Sequence, residues 1–307
     1  EMLKFTKGST TLSSQTEKVG FLEAPYITLC FQPSCKPSML QKHGLPDCIN
    51  NIRYLKSSLE GMNMKMYENI SYTYENDFDI NIVKFTNGAR LTGLTEQIDF
   101  ETQKVITFRS GLCHLIKYNV NVSTTNDKIR LHFNYKGHIS DTPESANILL
   151  SSPNGWHGIV VDDWPFFDPT ILKIPIEKPQ EQDWTIKVSQ TDYHYMTGIE
   201  DFEQCLLEKI TRNSECATKC YPFMFNFLSN YPLCGSKEFD CMYDLLVLRR
   251  KYRYECLQAK KNIQYKAHIY PTMKWKANES SISFWLYFDK GTKDIKEEVL
   301  IITTGSF

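Results

Sequence analysis

The chain has 307 residues, with 35 basic and 36 acidic side chains and a formal net charge of −1, so it is long enough for a large core and close to neutral. Neutrality argues against a nucleic-acid binder, which needs a basic surface to neutralise phosphates. No window approaches the roughly 20 apolar residues that span a bilayer as a helix, and 13% aromatic residues suit wide packed sheets.

Residues 1–20 are polar and rich in Ser, Thr and Lys, which predicts an extended or loosely ordered segment, and Glu1-Met2-Leu3-Lys4 carries no apolar signal core. The run 24–31 (Ala24-Pro25-Tyr26-Ile27-Thr28-Leu29-Cys30-Phe31) is β-branched and aromatic behind a proline, a strand pattern. Apolar positions spaced three and four apart predict a short helix over 50–60, stopped by Gly61. Short strands follow over 78–85, 104–109, 113–120, 129–135, 146–150, 171–176 and 184–188, separated by turn residues such as Asn87-Gly88, Ser152-Pro153-Asn154-Gly155 and Asp168-Pro169. At Thr197-Gly198-Ile199-Glu200 a capping box opens helical spacing through Leu206, Leu207 and Ile210, and a second helix is expected over 237–254. Beyond it, Ile282, Phe284, Leu286 and Phe288 share one face of a strand, 289–296 reads as a charged turn, and 298–304 as the partner strand.

The ten cysteines are the strongest chemical signal. Cys30, Cys35, Cys48 and Cys113 lie in the first part of the chain, and Cys205, Cys216, Cys220, Cys234, Cys241 and Cys256 cluster on the expected helical lobe. The closest pair, Cys216 and Cys220, has no second pair or spaced histidines to complete a zinc site. Disulfides are the better reading, and they persist in oxidising compartments. Sequons at Asn69, Asn121 and Asn278 agree with an extracellular, glycosylated surface.

Enzyme chemistry has no motif here: HExxH, GxSxG, GxGxxG and the P-loop are all missing, and the seven histidines are scattered. No cofactor and no metal are expected, and the chain is read as a non-enzyme. Asp77 with Asp79, and Asp162 with Asp163, are candidate carboxylate pairs, set against the plainer reading of solvated turn residues. Arg249-Arg250-Lys251-Arg253 fits a helix C-terminus, where cations oppose the dipole.

The strand ending in Cys30 resembles the first palm strand of the degenerin/epithelial sodium channel family, and Ser110-Gly111-Leu112-Cys113-His114 resembles its glycine-x-cysteine element. The late cysteine cluster looks like the family's disulfide-rich thumb, and 282–288 with 299–307, ending Thr304-Gly305-Ser306-Phe307, looks like its last palm strands. The set of cysteines is more similar to invertebrate members than to vertebrate acid-sensing channels. The resemblance implies an α+β fold: a mostly antiparallel β palm and β-ball, peripheral finger helices and a disulfide-rich helical thumb. It divides one ectodomain into wrist and first palm strand (1–35), finger (36–100), β-ball and palm strands (101–196), thumb (197–265) and final palm strands (266–307), with membrane helices expected outside both ends.

It also implies a Cys30–Cys113 bridge and, as the most defensible thumb pairing, Cys220–Cys256. The other thumb pairings stay open, since six cysteines allow fifteen connectivities, and Cys35 with Cys48 is a further candidate pair. The function implied is the extracellular sensing and gating domain of a trimeric, sodium-selective, amiloride-sensitive channel at the plasma membrane. Such a domain assembles as a homo- or hetero-trimer with related subunits, couples a proton, peptide, small molecule or force to the pore, and passes Na+ through a pore outside this chain. Candidate proton-sensing groups are Asp77, Asp79, Asp162 and Asp163, because close carboxylates share a proton when their pKa values are driven up. Phe5, Tyr193 and Tyr195 are candidates for coupling wrist to thumb. The pattern departs from the family in two places: Gln258 stands where a CxC partner of Cys256 is usual, and the tryptophan ahead of the first thumb cysteine is not in place. The alternative function is a secreted cysteine-rich binding protein without a pore.

Overall fold

Strands form in this chain where apolar residues recur at every second position, because alternate side chains of an extended backbone share a face. Ile129, Leu131, Phe133 and Tyr135 follow that rule, as do Ile282, Phe284, Leu286 and Phe288, and all are buried. The computed structural model describes residues 9–45, 48, 64–86, 94–107, 111–124, 127–151, 172–176, 180–194, 202–213, 251–252, 261–276 and 280–301, and structural statements below concern those residues. In chain order the strands are β1 (Ser9–Lys18), β2 (Phe21–Glu23), β3 (Tyr26–Gln32), β4 (Phe78–Thr86), β5 (Leu94–Gln97), β6 (Glu101–Thr107), β7 (Gly111–Lys117), β8 (Asn121–Ser123), β9 (Asp127–Tyr135), β10 (Ser145–Ser151), β11 (Leu172–Pro175), β12 (Gln180–His194), β13 (Lys261–Lys276) and β14 (Ser281–Ile301). The helices are short: α1 (Pro37–Lys42), α2 (Met64–Ile70), α3 (Tyr74–Asp77) and α4 (Phe202–Asn213), with a 3-10 turn at Ile139–Asp141.

The strands make a seven-stranded sheet ordered β13-β12-β14-β9-β4-β5, with β1 also on β14, and a five-stranded sheet ordered β11-β10-β3-β7-β6; β2 and β8 pair alone. Among the described pairings only β12–β14 is parallel. The inner faces of the two sheets meet in one core, where Ile82, Leu131, Ile186 and Phe284 face Leu29, Phe31, Ile148 and Ile174. Phe31 stacks on Phe78 across the sheets at 4.2 Å between ring centroids, and Phe133 tilts against Phe284 at 5.5 Å. Burying each such side chain stabilises by about 1.5–3 kcal/mol. A recess bounded by Phe31, Phe78, Phe133 and Phe284 holds about 10 Å³, room for about one water, too little for a larger ligand. β3 is buried on both faces; its second face packs Cys30 with Cys113, Leu115 and Leu149.

Three expectations need correction. The described chain is mostly β-sheet with a few short helices, not α+β with a helical thumb. Within 197–265 the described helical residues are α4 and the pair Lys251 and Tyr252, and β13 already begins at Lys261. The physical reason is visible in β13: Tyr265 and Ala267 are buried while Lys266 and His268 are exposed, a period of two masked in the sequence by its polar half. Second, the charged turn at 289–296 is not a hairpin; β14 continues as one strand to Ile301. Third, the segment expected to be loose is β1, which pairs along its length with β14, Ser9 opposite Ile301 and Lys18 opposite Thr292. β1 and the part of β14 opposite it up to residue 298 are mostly polar, so no apolar face announced them; only 299–301, at the end of β14, stood out as a strand. The predicted helix over 50–60, most of 237–254, the capping box at 197–200 and the turns at 87–88, 152–155 and 168–169 lie outside the described residues.

Candidate functional site

β14 belongs to two environments. Its first part, 281–286, lies between β9 and β12 in the apolar sheet, and its second part lies between β1 and β12 in a polar ribbon. The two meet at a bulge. Val188 pairs with Phe288, but Gln190 pairs with Lys293, so four residues of β14 (289–292) face one of β12. Gly291 sits there with φ +60, a left-handed conformation open to glycine at no steric cost. Val19 N–H donates to Gly291 O at 2.9 Å. Thr124, just past β8, holds the same corner, its Oγ1 donating to Val19 O at 2.8 Å and its N–H to Gly20 O at 3.0 Å. A Cβ on Gly291 would lie 3.0 Å from Thr124 Oγ1.

Immediately past the bulge, side chains stitch β1, β14 and β12 together. Lys293 Nζ lies 2.9 Å from Asp192 Oδ2 on β12 and 3.5 Å from Glu17 Oε2 on β1. Gln190 Nε2 donates to Asp192 Oδ1 at 2.6 Å. The hydrogen bond to Asp192 raises the Lys293 pKa, with burial pulling the other way. Lys296 Nζ stands 5.2 Å from the Tyr193 ring centroid and 3.4 Å from its hydroxyl. Thr16 Oγ1 donates to Asp294 Oδ1 at 2.8 Å. The exposed pair His194–Glu297, at 3.6 Å, adds little, as surface pairs usually do. Of the candidate coupling aromatics, Tyr193 is thus a cross-strand partner in this ribbon; Phe5 and Tyr195 lie outside the described residues.

A second polar cluster lies where the short helices meet β4. Asp77 is buried; it accepts Thr73 N–H at 2.7 Å and pairs with Lys36 Nζ at 3.0 Å. Asp79 is exposed and pairs with Lys136 at 3.1 Å, so each aspartate is held by its own lysine. Asp162 and Asp163 lie outside the described residues. Asp141, which the sequence reading missed, accepts Ser38 N–H and Ser38 Oγ at 3.0 and 2.5 Å, capping α1 from another element. Tyr72 O–H donates to Asp141 O. His114 on β7 is buried, its Nε2 donates to Tyr72 O at 3.1 Å, and Tyr74 meets its ring edge-on. That tautomer leaves Nδ1 without a hydrogen-bond partner among the described residues, and burial lowers the His114 pKa.

The outer face of the large sheet carries a third group. Arg130 stacks over Trp285 at 5.3 Å and donates from Nη2 to Ser283 Oγ at 2.9 Å. The Ser283 hydroxyl therefore turns its own proton toward His132 Nδ1, 2.9 Å away. Burial, and then Arg130, lower the His132 pKa, so the neutral ring fits this arrangement. Trp285 Nε1 donates to Asp183 Oδ2 at 3.2 Å.

Two disulfides are described: Cys30–Cys113, between directly opposed residues of β3 and β7, and Cys35–Cys48. The first is the pairing the resemblance implied. Cys205 is disulfide-bonded as well, while Cys216, Cys220, Cys234, Cys241 and Cys256 lie outside the described residues. Asn69 on α2 and Asn121 on β8 are exposed; Asn278 is outside the described residues. No cluster of His, Cys, Asp or Glu able to hold a metal occurs among the described residues, and no helix among them is long and apolar enough to cross a membrane.

The sequence matches no family model and no curated protein. Among solved structures, the chain is similar to the cryo-EM structure of a proton-activated chloride channel, with a TM-score of 0.38 and 5% identity, over 96% of this chain and 75% of that one. It is also similar to the crystal structure of Erv41p, with a TM-score of 0.30 and 9% identity, over 92% of this chain and 99% of that one. Scores this low leave the fold of this chain to be described in its own terms.

Proposed function

We propose that this chain is the extracellular sensing and gating domain of a sodium-selective, trimeric channel subunit of the degenerin/epithelial sodium channel type. The observation that carries the reading is β14: one strand joins a rigid apolar sheet to a polar ribbon, with a glycine bulge and a lysine clamp between them. A domain that gates must hold two arrangements of similar free energy, and an effector must bind them unequally. The bulge at 289–292 is a place where the ribbon can change its angle to the sheet, and the Lys293 contacts to Asp192 and Glu17 are what one arrangement makes and another releases. The Cys30–Cys113 bridge and the extracellular sequons fit the same reading.

The test is a reversible lock. Thr16 and Asp294 are opposed across β1 and β14, so Thr16→Cys with Asp294→Cys places two thiols in register. The complete gene product, expressed alone and with related subunits, is recorded under patch clamp during acid, ligand and pressure steps. A cation current that the double-cysteine variant loses under oxidation and regains under reduction is the expected result. A product that is secreted whole and gives no current in any combination makes this a pore-free binding protein instead.

A further inference from the structure

The small ribbon formed by β2 and β8 presents an aromatic ring to solvent beside a sequon. Phe21 opposes Ser123, Leu22 opposes Val122, and Glu23 opposes Asn121. Directly opposed residues share a face of an antiparallel pair, and residues two apart share it as well. Leu22 and Val122 therefore occupy the inner face, where both are buried, and Phe21, Glu23, Asn121 and Ser123 occupy the outer one. Phe21 is 67% exposed, the most exposed large apolar side chain among the described residues. Asn121 is its diagonal neighbour, a relation that puts the two about 7–8 Å apart, within reach of long or aromatic groups. Lys84 Nζ donates to Asn121 O at 3.0 Å and Asp127 Oδ2 accepts Ser123 N–H at 2.9 Å, so the backbone that carries the sequon is fixed.

We infer that Asn121 carries an N-linked glycan whose first N-acetylglucosamine lies over the Phe21 ring. The inference rests on the extracellular placement proposed above. A pyranose has one face lined by polarised C–H bonds, and an aromatic face is the negative pole of its quadrupole. The sugar ring begins one bond beyond the Asn121 amide nitrogen, on the face where Phe21 otherwise meets water. The glycan thus covers the exposed ring and ties β8 to β2, next to the corner where Thr124 holds Val19 and Gly20 against the bulge.

The full chain is produced through the secretory pathway of a eukaryotic cell in four forms: unchanged, Phe21→Ala, Asn121→Gln, and both together. Peptide mapping after glycosidase release in heavy-oxygen water reads occupancy at Asn69, Asn121 and Asn278 separately, and thermal melts read Tm. The expected result is an occupied Asn121, with Asn121→Gln lowering Tm by about 2 °C when Phe21 is present and leaving it unchanged in the Phe21→Ala background. Trimming the glycan to its first sugar should keep the full Tm. A bare Asn121 beside an occupied Asn69 or Asn278 overturns the inference and leaves the extracellular reading standing. Three bare sequons overturn the inference and count against that reading too. An occupied Asn121 with the same Tm loss in both backgrounds overturns the packing on Phe21.

Discussion

Replacing Lys293 by Met removes the cation that joins β12, β14 and β1, and leaves the Asp192 carboxylate without its lysine, with Gln190 Nε2 still donating to it. The Lys293 and Asp192 side chains are 22% and 11% exposed, which sets the scale. Removing one partner of a fully buried pair costs about 3–5 kcal/mol, whereas an exposed pair contributes about 0–1 kcal/mol. A mostly covered pair with some access to water belongs between, at about 1.5–2.5 kcal/mol. Asp192→Asn together with Lys293→Met removes both charges and keeps an acceptor for Gln190, so the pair should cost at least about 1 kcal/mol less than the sum of the single changes. Urea unfolding of all four proteins at fixed salt gives the cycle directly. Glu17→Gln serves as the comparison: its longer, more exposed contact at 3.5 Å should contribute under about 0.5 kcal/mol. In the gating assay, Lys293→Met should lower the stimulus needed for opening. Strict additivity of the two substitutions, with no coupling energy, would refute the clamp as the element that holds the ribbon.

Gly291→Ala should destabilise by about 1–2 kcal/mol, the usual cost of a left-handed non-glycine residue, with the close approach to Thr124 adding to it. Gly20→Ala, with nothing within 4 Å of the added carbon, should leave the melting temperature nearly unchanged, and equal effects at the two sites would remove the case for a strained bulge. The disulfides should differ in weight: Cys30–Cys113 closes a separation of 83 residues and Cys35–Cys48 one of 13. Loop-closure entropy then gives about 4.5 and 3 kcal/mol, and paired Cys→Ala variants with the reverse order would contradict it. The histidines set an acid limb. Folding lowers the pKa of both His114 and His132, so below about 6.5 the unfolded chain takes up protons more readily than the folded one. Their contribution is complete above that pH, falls as pH drops toward the folded values, and then levels off. His114→Gln keeps a donor for Tyr72 without titrating, so it should flatten the fall in melting temperature between pH 7.5 and 5; an unchanged fall would assign the acid limb elsewhere.

What the sequence disclosed followed from where apolar residues alternate. β3, β4, β9, β10 and the core part of β14 were legible because each buries one face or both. β12 was legible only over its apolar centre. Its flanks include Gln190, Thr191 and Asp192, polar residues that are nevertheless buried, and hydrophobic patterning is blind to them. The parallel pairing of β12 with β14, and the capture of β1 by β14, join residues over 90 positions apart, which no local pattern encodes. The same blindness hid the site. Lys293 stood in what read as a charged turn, and Asp192 looked like any surface aspartate until β14 arrived beside it. Asp77 was legible as a carboxylate but not as one already held by Lys36 and Thr73. His114 did leave a trace, as a titratable ring inside the apolar run Leu112-Cys113-His114-Leu115-Ile116.

The contrast within β14 explains why the ribbon, and not the sheet, is suited to move. Up to Phe288 the strand buries alternate large side chains between two sheets, and any rotation there opens a packed core at a cost of several kcal/mol. Past Gly291 the described β1 side chains, 11–18, are all exposed. Among the described side chains, β1 is therefore held to β14 by backbone hydrogen bonds and a handful of polar contacts, the kind found at the low-stability end of a protein's range. Such contacts exchange readily for water, so two arrangements of the ribbon can differ by little while the sheet stays fixed. On the proposed gating reading, the glycine bulge confines that freedom to residues 289–292, and the Lys293 contacts to Asp192 and Glu17 select the arrangement that is kept.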